Sequence, residues 1–132
     1  MKVAAITEDS LTISHHFGRA PYYLVVTVEN GQIIDRELRK KLSHIQFADQ
    51  PHAQDQPGQP HGMDPTSHNK HLQMAAVITD CEALLCRGMG AGAYESIKKA
   101  GIQPIVTDIP QIDEAVMAYI EGRIIDYIDR LH

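Results

Sequence analysis

The stretch YYLVVTVENGQIIDREL, residues 22–38, decides the fold class of this chain. Two runs rich in β-branched and aromatic residues, Tyr22–Val28 and Gln32–Leu38, flank the pair Asn30-Gly31. Both residues of that pair tolerate a positive φ, which a two-residue type I′ turn requires at each of its central positions. The pattern therefore predicts an antiparallel β-hairpin that supplies one edge of a sheet.

The segments on either side of this hairpin predict the rest of a mixed sheet. A short apolar run at residues 3–6, VAAI, precedes the hairpin and is typical of a buried strand. The elements predicted after it are helices at about 68–79 and 92–100, strands at about 83–86 and 103–108, and a last helix from Pro110 to Gly122. Strands and helices that alternate in this way favour a three-layer α/β domain around a five-stranded mixed sheet.

The composition limits the classes of partner. The 132 residues carry a formal net charge of −5, which gives no electrostatic footprint for nucleic acid. The first residues, MKVAAITEDS, reach Glu8 and Asp9 after only a few apolar side chains, unlike a secretory leader or a membrane span. Two cysteines are too few for a disulfide scaffold. We therefore expect a single cytoplasmic domain over residues 1–132, with neither nucleic acid nor membrane as a partner.

Residues 49–67, DQPHAQDQPGQPHGMDPTS, interrupt this domain with a stretch that is almost without apolar side chains. Such a composition cannot bury enough surface to offset the entropy of ordering, and it predicts a flexible loop. Four histidines lie in or beside it: His52, His61, His68 and His71. Imidazoles on a mobile loop can close over nickel, copper or zinc, so a metal buffer or sensor is one hypothesis. A solvated loop with incidental affinity for metals is the other.

The sequence CRGMGAGA, residues 86–93, leaves one predicted strand and begins the next helix. Backbone N–H groups at such a glycine-rich turn suit an anion, although a tight turn alone would also explain the glycines. A dinucleotide site is disfavoured, because only one further strand follows. Cys86 stands at the carboxyl end of its strand, where α/β sheets place ligands. Cys81 lies too far along the chain to share a metal with it and is expected in the core.

A second loop that bears chemistry, SHHFGRA at residues 14–20, joins the first strand to the hairpin. Gly18 marks a turn, so one or both of His15 and His16, together with Arg19, should face solvent or a cleft while Phe17 packs beneath them. No acid–base pair, nucleophile elbow or phosphate-loop lysine stands out in the chain. A nuclease of the ribonuclease H type needs several carboxylates around a divalent metal, and the sequence places none. We therefore expect no catalytic residues.

Three segments together resemble one family along nearly the whole chain outside residues 49–67: SHHFGRAPYYLVVTVENGQI, RGMGAGAYESIKKAGIQPIVTD and IDEAVMAYIEGRI. The family is that of dinitrogenase iron–molybdenum cofactor biosynthesis, which includes nitrogenase cofactor carriers and the orange protein. The resemblance implies a ribonuclease H-like fold without nuclease chemistry. It also implies non-catalytic binding, storage or delivery of a metal–sulfur cluster, as in nitrogen fixation. That cluster is an iron–molybdenum cofactor or precursor, or a molybdenum–copper sulfide, exchanged with a cluster-donating or cluster-accepting protein.

The resemblance also assigns site residues. It places the family's candidate ligand histidine at His16 and the family's glycine turn at Gly88–Gly90. Ala20 stands where many relatives carry cysteine, and Arg87 stands where glycine is frequent. These departures favour electrostatic capture of an anionic cluster over thiolate ligation, and they leave Cys86 as the only local thiol. The predicted metal ligands are His16 and Cys86, and the predicted cluster-binding residues are His15, Phe17, Gly18, Arg19, Arg87, Gly88, Met89 and Gly90.

Overall fold

The computed structural model describes residues 1–41 and 74–131 of the chain. In chain order its elements are β1 (Lys2–Thr7), β2 (Tyr22–Glu29), β3 (Gln32–Lys40), β4 (Ala83–Cys86), α1 (Ala91–Lys99), β5 (Gln103–Val106), α2 (Ile112–Ile120) and a short 3-10 helix (Ile128–Arg130). The flexible loop predicted at 49–67 lies outside the described residues. So do the four histidines of the metal-buffer hypothesis: His52, His61, His68 and His71.

The five strands form one mixed sheet in the order β3-β2-β1-β4-β5. β2 pairs antiparallel with both β1 and β3, whereas β4 pairs parallel with both β1 and β5. The fold class predicted from the sequence, a five-stranded mixed sheet with an antiparallel hairpin, is therefore confirmed. Because β1 and β4 are parallel neighbours, the loops that follow them leave the sheet side by side at its carboxyl edge.

The turn between β2 and β3 has the backbone conformation that its sequence predicts. Asn30 has φ 53° and Gly31 has φ 75°, so both central residues occupy the left-handed region. A register irregularity follows between Thr27 and Val28, and beyond it the two strands pair as far as Tyr22. β3 is the outer strand of the sheet at this side. Most of its side chains are exposed, and many are charged, which discourages pairing with another chain.

The apolar core covers both faces of the sheet. Every residue of Val3–Thr7 in β1 is buried, and so is every residue of β4. Since successive strand residues point to opposite faces, this continuous burial requires packing on both sides, as in a three-layer domain. The helix residues that are buried are Ala93, Tyr94, Ser96 and Ile97 of α1 and Ile112, Ala115, Val116 and Ala118 of α2.

α2 begins at Ile112 rather than at the predicted Pro110, because the residues before it pair with the loop after β1. The Ile13 N–H donates to the Pro110 carbonyl over 2.8 Å, and the Ile112 N–H donates to the Leu11 carbonyl over 3.0 Å. These bonds hold the chain extended where helical geometry was expected. The predicted end of the helix is confirmed, since Gly122 follows it with φ 74°.

The helix predicted at about 68–79 is only partly within the described residues. Residues 74–76 are helical, and a turn occupies 77–80, so the helix ends before Thr79. The Tyr23 hydroxyl donates to the Met74 carbonyl over 2.9 Å, which ties this segment to β2. In the described ranges, no helix is long and apolar enough to cross a lipid bilayer.

Candidate functional site

Two loops enclose a pocket of about 280 Å³ at the carboxyl edge of the sheet. One loop follows β1 and the other follows β4, and these neighbouring strands run parallel. Ligands of α/β proteins bind at such an edge, outside the carboxyl ends of the strands. The described residues that line the pocket are His15, His16, Phe17, Gly18, Arg19, Gly88, Met89, Gly90, Gly92 and Ala93. The two loops that the sequence singled out therefore face each other.

Backbone hydrogen bonds fasten the two loops together. The Phe17 N–H donates to the Gly88 carbonyl over 3.3 Å, and the Arg87 N–H donates to the Ser14 carbonyl over 3.2 Å. The Ser14 N–H in turn donates to the Ile6 carbonyl at the end of β1. Phe17 packs beneath the loop as predicted, with only 3% of its surface exposed. These bonds join the histidine loop both to the glycine turn and to the end of β1.

The two imidazoles stand at the opening of the pocket. His15 and His16 are both exposed, and their ring centroids lie 6.4 Å apart. The backbone of His16 is held on each side, because its N–H donates to the Ser14 hydroxyl and its carbonyl accepts from Arg19 and Ala20. An imidazole can bind a metal through a neutral nitrogen or attract an anion once protonated. His15 and His16 could therefore contact a ligand in the pocket either as metal ligands or as positive charges.

The amino terminus of α1 also borders the pocket, through Gly90, Gly92 and Ala93. Gly90 is the residue that precedes the helix, and no side chain accepts a hydrogen bond from the first turn. That turn contains no acidic residue either. The first N–H groups of a helix lack partners within it, and they carry the positive end of its dipole. With Arg19 on the opposite side, and no carboxylate among the described lining residues, the pocket is suited to an anion.

Gly90 is a glycine that the fold does not require. Its φ of −76° is open to any residue, and a Cβ built on it would meet no atom within 4 Å. The tight-turn explanation of the glycines therefore fails at this position. Gly90 lines the pocket and the space beside its Cα is open, so glycine leaves room for a ligand to approach the backbone.

Two predicted site residues are not among those that line the pocket. Arg87 is half-buried beside the turn. Cys86 is fully buried, and its thiol donates to the Ile105 carbonyl over 3.4 Å. Burial, reinforced by the charge of Asp126, raises the pKa of Cys86 to about 12, although a backbone hydrogen bond with Gly88 opposes the shift. The thiol is protonated at neutral pH and lies in the core, so this placement disfavours Cys86 as a ligand.

Cys81 lies in the core, as the sequence predicts. It is 4% exposed, and burial raises the pKa of its thiol to about 12. Neither Cys81 nor Cys86 forms a disulfide. The described part of the chain also contains no group of three or more histidine, cysteine, aspartate or glutamate side chains that could hold a metal ion. Among the described lining residues, the two imidazoles are the only histidine, cysteine or carboxylate ligands that a bare metal ion would find in this pocket.

Three residues at the site were missed at the level of sequence. Gly92 and Ala93 line the pocket because α1 begins beside it. The sequence predicted a helix that starts near Gly92, but it did not assign these two residues to the site. Lys41 is buried behind the pocket, with its Nζ 4.5 Å from the centroid of the Phe17 ring. No local signal marks Lys41, since it ends a run of charged residues that is typical of a solvated strand.

Known proteins resemble this chain over nearly its whole length. An uncharacterized protein of Methanocaldococcus jannaschii is 26% identical over 124 residues, which cover 94% of this chain and 89% of that protein. The crystal structure of PH0822 is 25% identical, with a TM-score of 0.64, and the match covers 97% of this chain and 98% of that one. The apo form of the orange protein from Desulfovibrio gigas is 16% identical, with a TM-score of 0.66, over 96% and 92% of the two chains, and so shares the fold.

A sequence profile describing the dinitrogenase iron-molybdenum cofactor family matches residues 1–122. The match includes both loops of the pocket and the helix that borders it. It agrees with the resemblance carried by the histidine loop and the glycine turn. This chain therefore belongs to the dinitrogenase iron-molybdenum cofactor family.

Proposed function

We propose that this protein binds an anionic metal–sulfur cluster in the pocket between residues 15–19 and 88–93, and hands it on without catalysing a reaction. One observation carries the proposal. The pocket combines two imidazoles, a guanidinium and the open amino terminus of a helix, with no carboxylate among its described lining residues. Every charge and dipole that faces the ligand therefore favours an anion.

A cluster suits these residues better than a bare metal ion does. A structural metal ion takes about four protein ligands, and the described residues offer no group of three. The metals of a metal–sulfur cluster are already bound by sulfide, so one protein nitrogen and a set of anion-binding groups are enough to hold it. In this proposal His16 is the ligand, Arg19 and the first N–H groups of α1 hold the anion, and Arg87 adds positive potential from beside the turn.

The name of the family supports an iron–molybdenum cofactor or its precursor as the cargo, and a molybdenum–copper sulfide has the same anionic chemistry. A carrier must also release its cargo. His15 and His16 are exposed, so the ligand would stay within reach of a donating or accepting protein in the cytoplasm. The metal-buffer alternative depends on the loop histidines, and no observation within the described residues favours it.

The test is anaerobic loading of the purified protein. Wild type is incubated with isolated iron–molybdenum cofactor or with tetrathiomolybdate and copper, separated from free cluster by gel filtration, and assayed for metals, sulfide and visible absorption. We expect stoichiometric co-elution of cluster and protein. A colourless wild-type protein that retains neither cluster would refute the proposed function.

The His16→Ala variant tests the ligand assignment in the same assay, and His15→Ala is compared with it. We expect His16→Ala to lose most of the bound cluster and to shift the visible spectrum of what remains. His15→Ala, which removes a lining imidazole that is not the ligand, should lose less cluster and leave the spectrum unchanged. Circular dichroism should show an intact fold in both variants, because both side chains are exposed. Equal loading of His16→Ala and wild type would show that His16 is not a ligand.

A further inference from the structure

Lys41 is a buried charge without a counter-ion in the described structure. It follows β3, and its N–H donates to the Pro21 carbonyl over 2.8 Å. Its side chain is 0% exposed, and among the buried polar side-chain atoms of the described residues its Nζ has no hydrogen-bond partner. Within the described part of the chain, Nζ lies over the face of Phe17, 4.5 Å from the ring centroid.

This arrangement is unfavourable in the unliganded protein. A buried ammonium loses its hydration, and the attraction of one aromatic ring returns only part of that loss. Burial lowers the pKa of Lys41 from 10.5 to about 8. No carboxylate of the described residues forms a hydrogen bond with its Nζ. Folded proteins keep buried polar groups satisfied, so an unsatisfied one calls for a missing partner.

Phe17 connects this charge to the pocket. Its ring contacts the Lys41 ammonium and also lines the cavity, where Arg19 and the two imidazoles are the other charged or titratable neighbours. Lys40, the neighbour of Lys41 on β3, is exposed. Lys41 does not itself line the pocket, so an anion there would act on the ammonium through the apolar Phe17 ring, where Coulomb attraction is weakly screened.

We propose that Lys41 is the buried counter-charge of the pocket: the bound anion supplies the negative charge that this ammonium lacks, and binding is coupled to the protonation of Lys41. The metal–sulfide nature of the anion rests on the proposed function, whereas the coupling requires only an anion. The sign follows from linkage. An anion favours the charged form of Lys41 and raises its pKa in the complex, so affinity falls as pH rises through about 8, and binding near that pH takes up protons.

The experiment is calorimetric titration of the full chain with two probes, tetrathiomolybdate and molybdate. The pH series begins at neutral pH and extends through 8 and 10.5, the free-protein and ordinary pKa values of this lysine. Repeating each titration in two buffers of different ionisation enthalpy measures proton uptake. The variants are Lys41→Met, which removes the charge, and Lys41→Arg, which keeps it at every pH. Lys40→Met is the matched control, because it removes an adjacent but exposed charge.

We expect Lys41→Met to bind tetrathiomolybdate about tenfold more weakly than wild type at neutral pH, with no pH dependence through the window. Lys41→Arg should bind tightly with a flat profile, and Lys40→Met should follow wild type. If Lys41→Met fails to fold, proton uptake by wild type and the flat profile of Lys41→Arg still decide the matter.

The remaining outcomes distinguish the role of Lys41 from the proposed function. Tetrathiomolybdate binding that is equal in Lys41→Met and wild type, without proton uptake, would overturn the role of Lys41 and leave the proposed function standing. Lys41-dependent binding of molybdate but not of tetrathiomolybdate would support the counter-charge and count against a sulfide-rich anion as the ligand. If wild type binds neither anion, the counter-charge proposal is wrong, and the cluster-loading assay still decides the proposed function.

Discussion

Lys41 should leave a measurable mark on the stability of the unliganded protein. Its folded pKa of about 8 lies below the ordinary 10.5, so between these values the unfolded chain binds a proton that the folded chain does not. Its contribution to stability therefore increases as pH rises through that window. We predict that Lys41→Met is more stable than wild type below pH 8 by roughly 3 kcal/mol, and that the difference disappears above pH 10.5. Urea unfolding of both proteins across the window measures it.

Other groups that titrate in this range affect wild type and Lys41→Met equally, so their effect cancels in the difference between the two proteins. The pKa values of Cys81 and Cys86 are raised to about 12, so both thiols destabilise the folded state once pH exceeds their ordinary 9.0. That loss is the same in wild type and in Lys41→Met. Lys40→Met should show no pH-dependent difference, because its side chain is exposed. A Lys41→Met protein that is less stable than wild type at every pH would mean that the ammonium has a partner.

Gly90 offers a substitution that separates binding from folding. Its backbone admits alanine, and the new methyl group would meet only the space of the pocket. We predict that Gly90→Ala changes the free energy of unfolding by less than about 1 kcal/mol, because the lower entropy of the unfolded chain offsets the poorer helix cap. Cluster affinity should fall, since the methyl group occupies the path to the first N–H groups of α1. Urea unfolding and tetrathiomolybdate titration measure the two effects.

The matched control is Gly101→Ala, at the other end of the same helix. Gly101 has φ 87°, so a side chain there is strained even though the surrounding space is open. We expect a loss of stability of about 1–2 kcal/mol and unchanged cluster affinity. If Gly90→Ala binds as tightly as wild type, the ligand does not approach this part of the backbone.

At the scale of elements, the segment after α2 protects the outer strand β5. Asp126 accepts hydrogen bonds from the Val106 N–H and the Tyr94 hydroxyl, each over 2.9 Å. The Tyr127 N–H donates to the Val106 carbonyl over 2.8 Å, so both polar groups of that residue are satisfied by the tail. One carboxylate thus fastens the tail to the sheet and to α1.

We predict that Asp126→Ala lowers the free energy of unfolding by about 1–3 kcal/mol, because it leaves the buried Val106 N–H without an acceptor. Asp126→Asn should lose less, since its amide oxygen can still accept that bond. Tyr94→Phe, which removes only the hydroxyl, isolates the other contact. Urea unfolding compares the three. Equal stability of Asp126→Ala and wild type would show that the contacts of Asp126 add nothing to the stability of the fold.

Local sequence signals predicted the elements wherever the chain itself determines the geometry. Asn30-Gly31 specified the hairpin because a type I′ turn needs two residues that tolerate positive φ. Gly101 and Gly122 follow the ends of α1 and α2, where the chain also adopts a positive φ. The start of α2 was misplaced because Pro110 is bound by Ile13, a contact between distant parts of the chain. Such a contact has no signature within the helix.

At the scale of the whole molecule, the charge of the protein opposes the charge of its proposed cargo. The chain carries a formal net charge of −5, so an anion meets overall repulsion before it reaches the basic pocket. We predict that Arg19→Gln weakens tetrathiomolybdate binding about two- to fivefold and makes the affinity less sensitive to salt, because an exposed attraction has been removed. Titration at several ionic strengths measures both effects.

Arg123→Gln supplies the control for that titration. Arg123 is exposed, pairs with Glu121 over 3.1 Å, and does not line the pocket. Arg123→Gln changes the net charge by the same amount as Arg19→Gln. A difference in affinity between the two variants therefore reports the position of the lost charge. If both variants weaken binding equally, the pocket draws its ligand through net charge alone.

The candidate site was only partly predictable, since its residues come from separate parts of the chain. The family resemblance indicated the histidine loop and the glycine turn, and the parallel pairing of β1 and β4 explains why they meet. Cys86 could not be oriented, because every residue of β4 is buried and the pattern does not show which face points to the pocket. Lys41 was missed because its burial depends on Phe17, which lies far from it in sequence.

The pocket takes one side from residues 15–19 and the other from residues 88–93, which lie far apart in the chain. These segments follow the parallel neighbours β1 and β4, and the bond from Phe17 to Gly88 joins them. A ligand held between them would bind only the folded arrangement that brings them together, so it would act as a cross-link and stabilise the fold by mass action. If the proposed function holds, the loaded protein would stay folded under conditions in which the empty one unfolds.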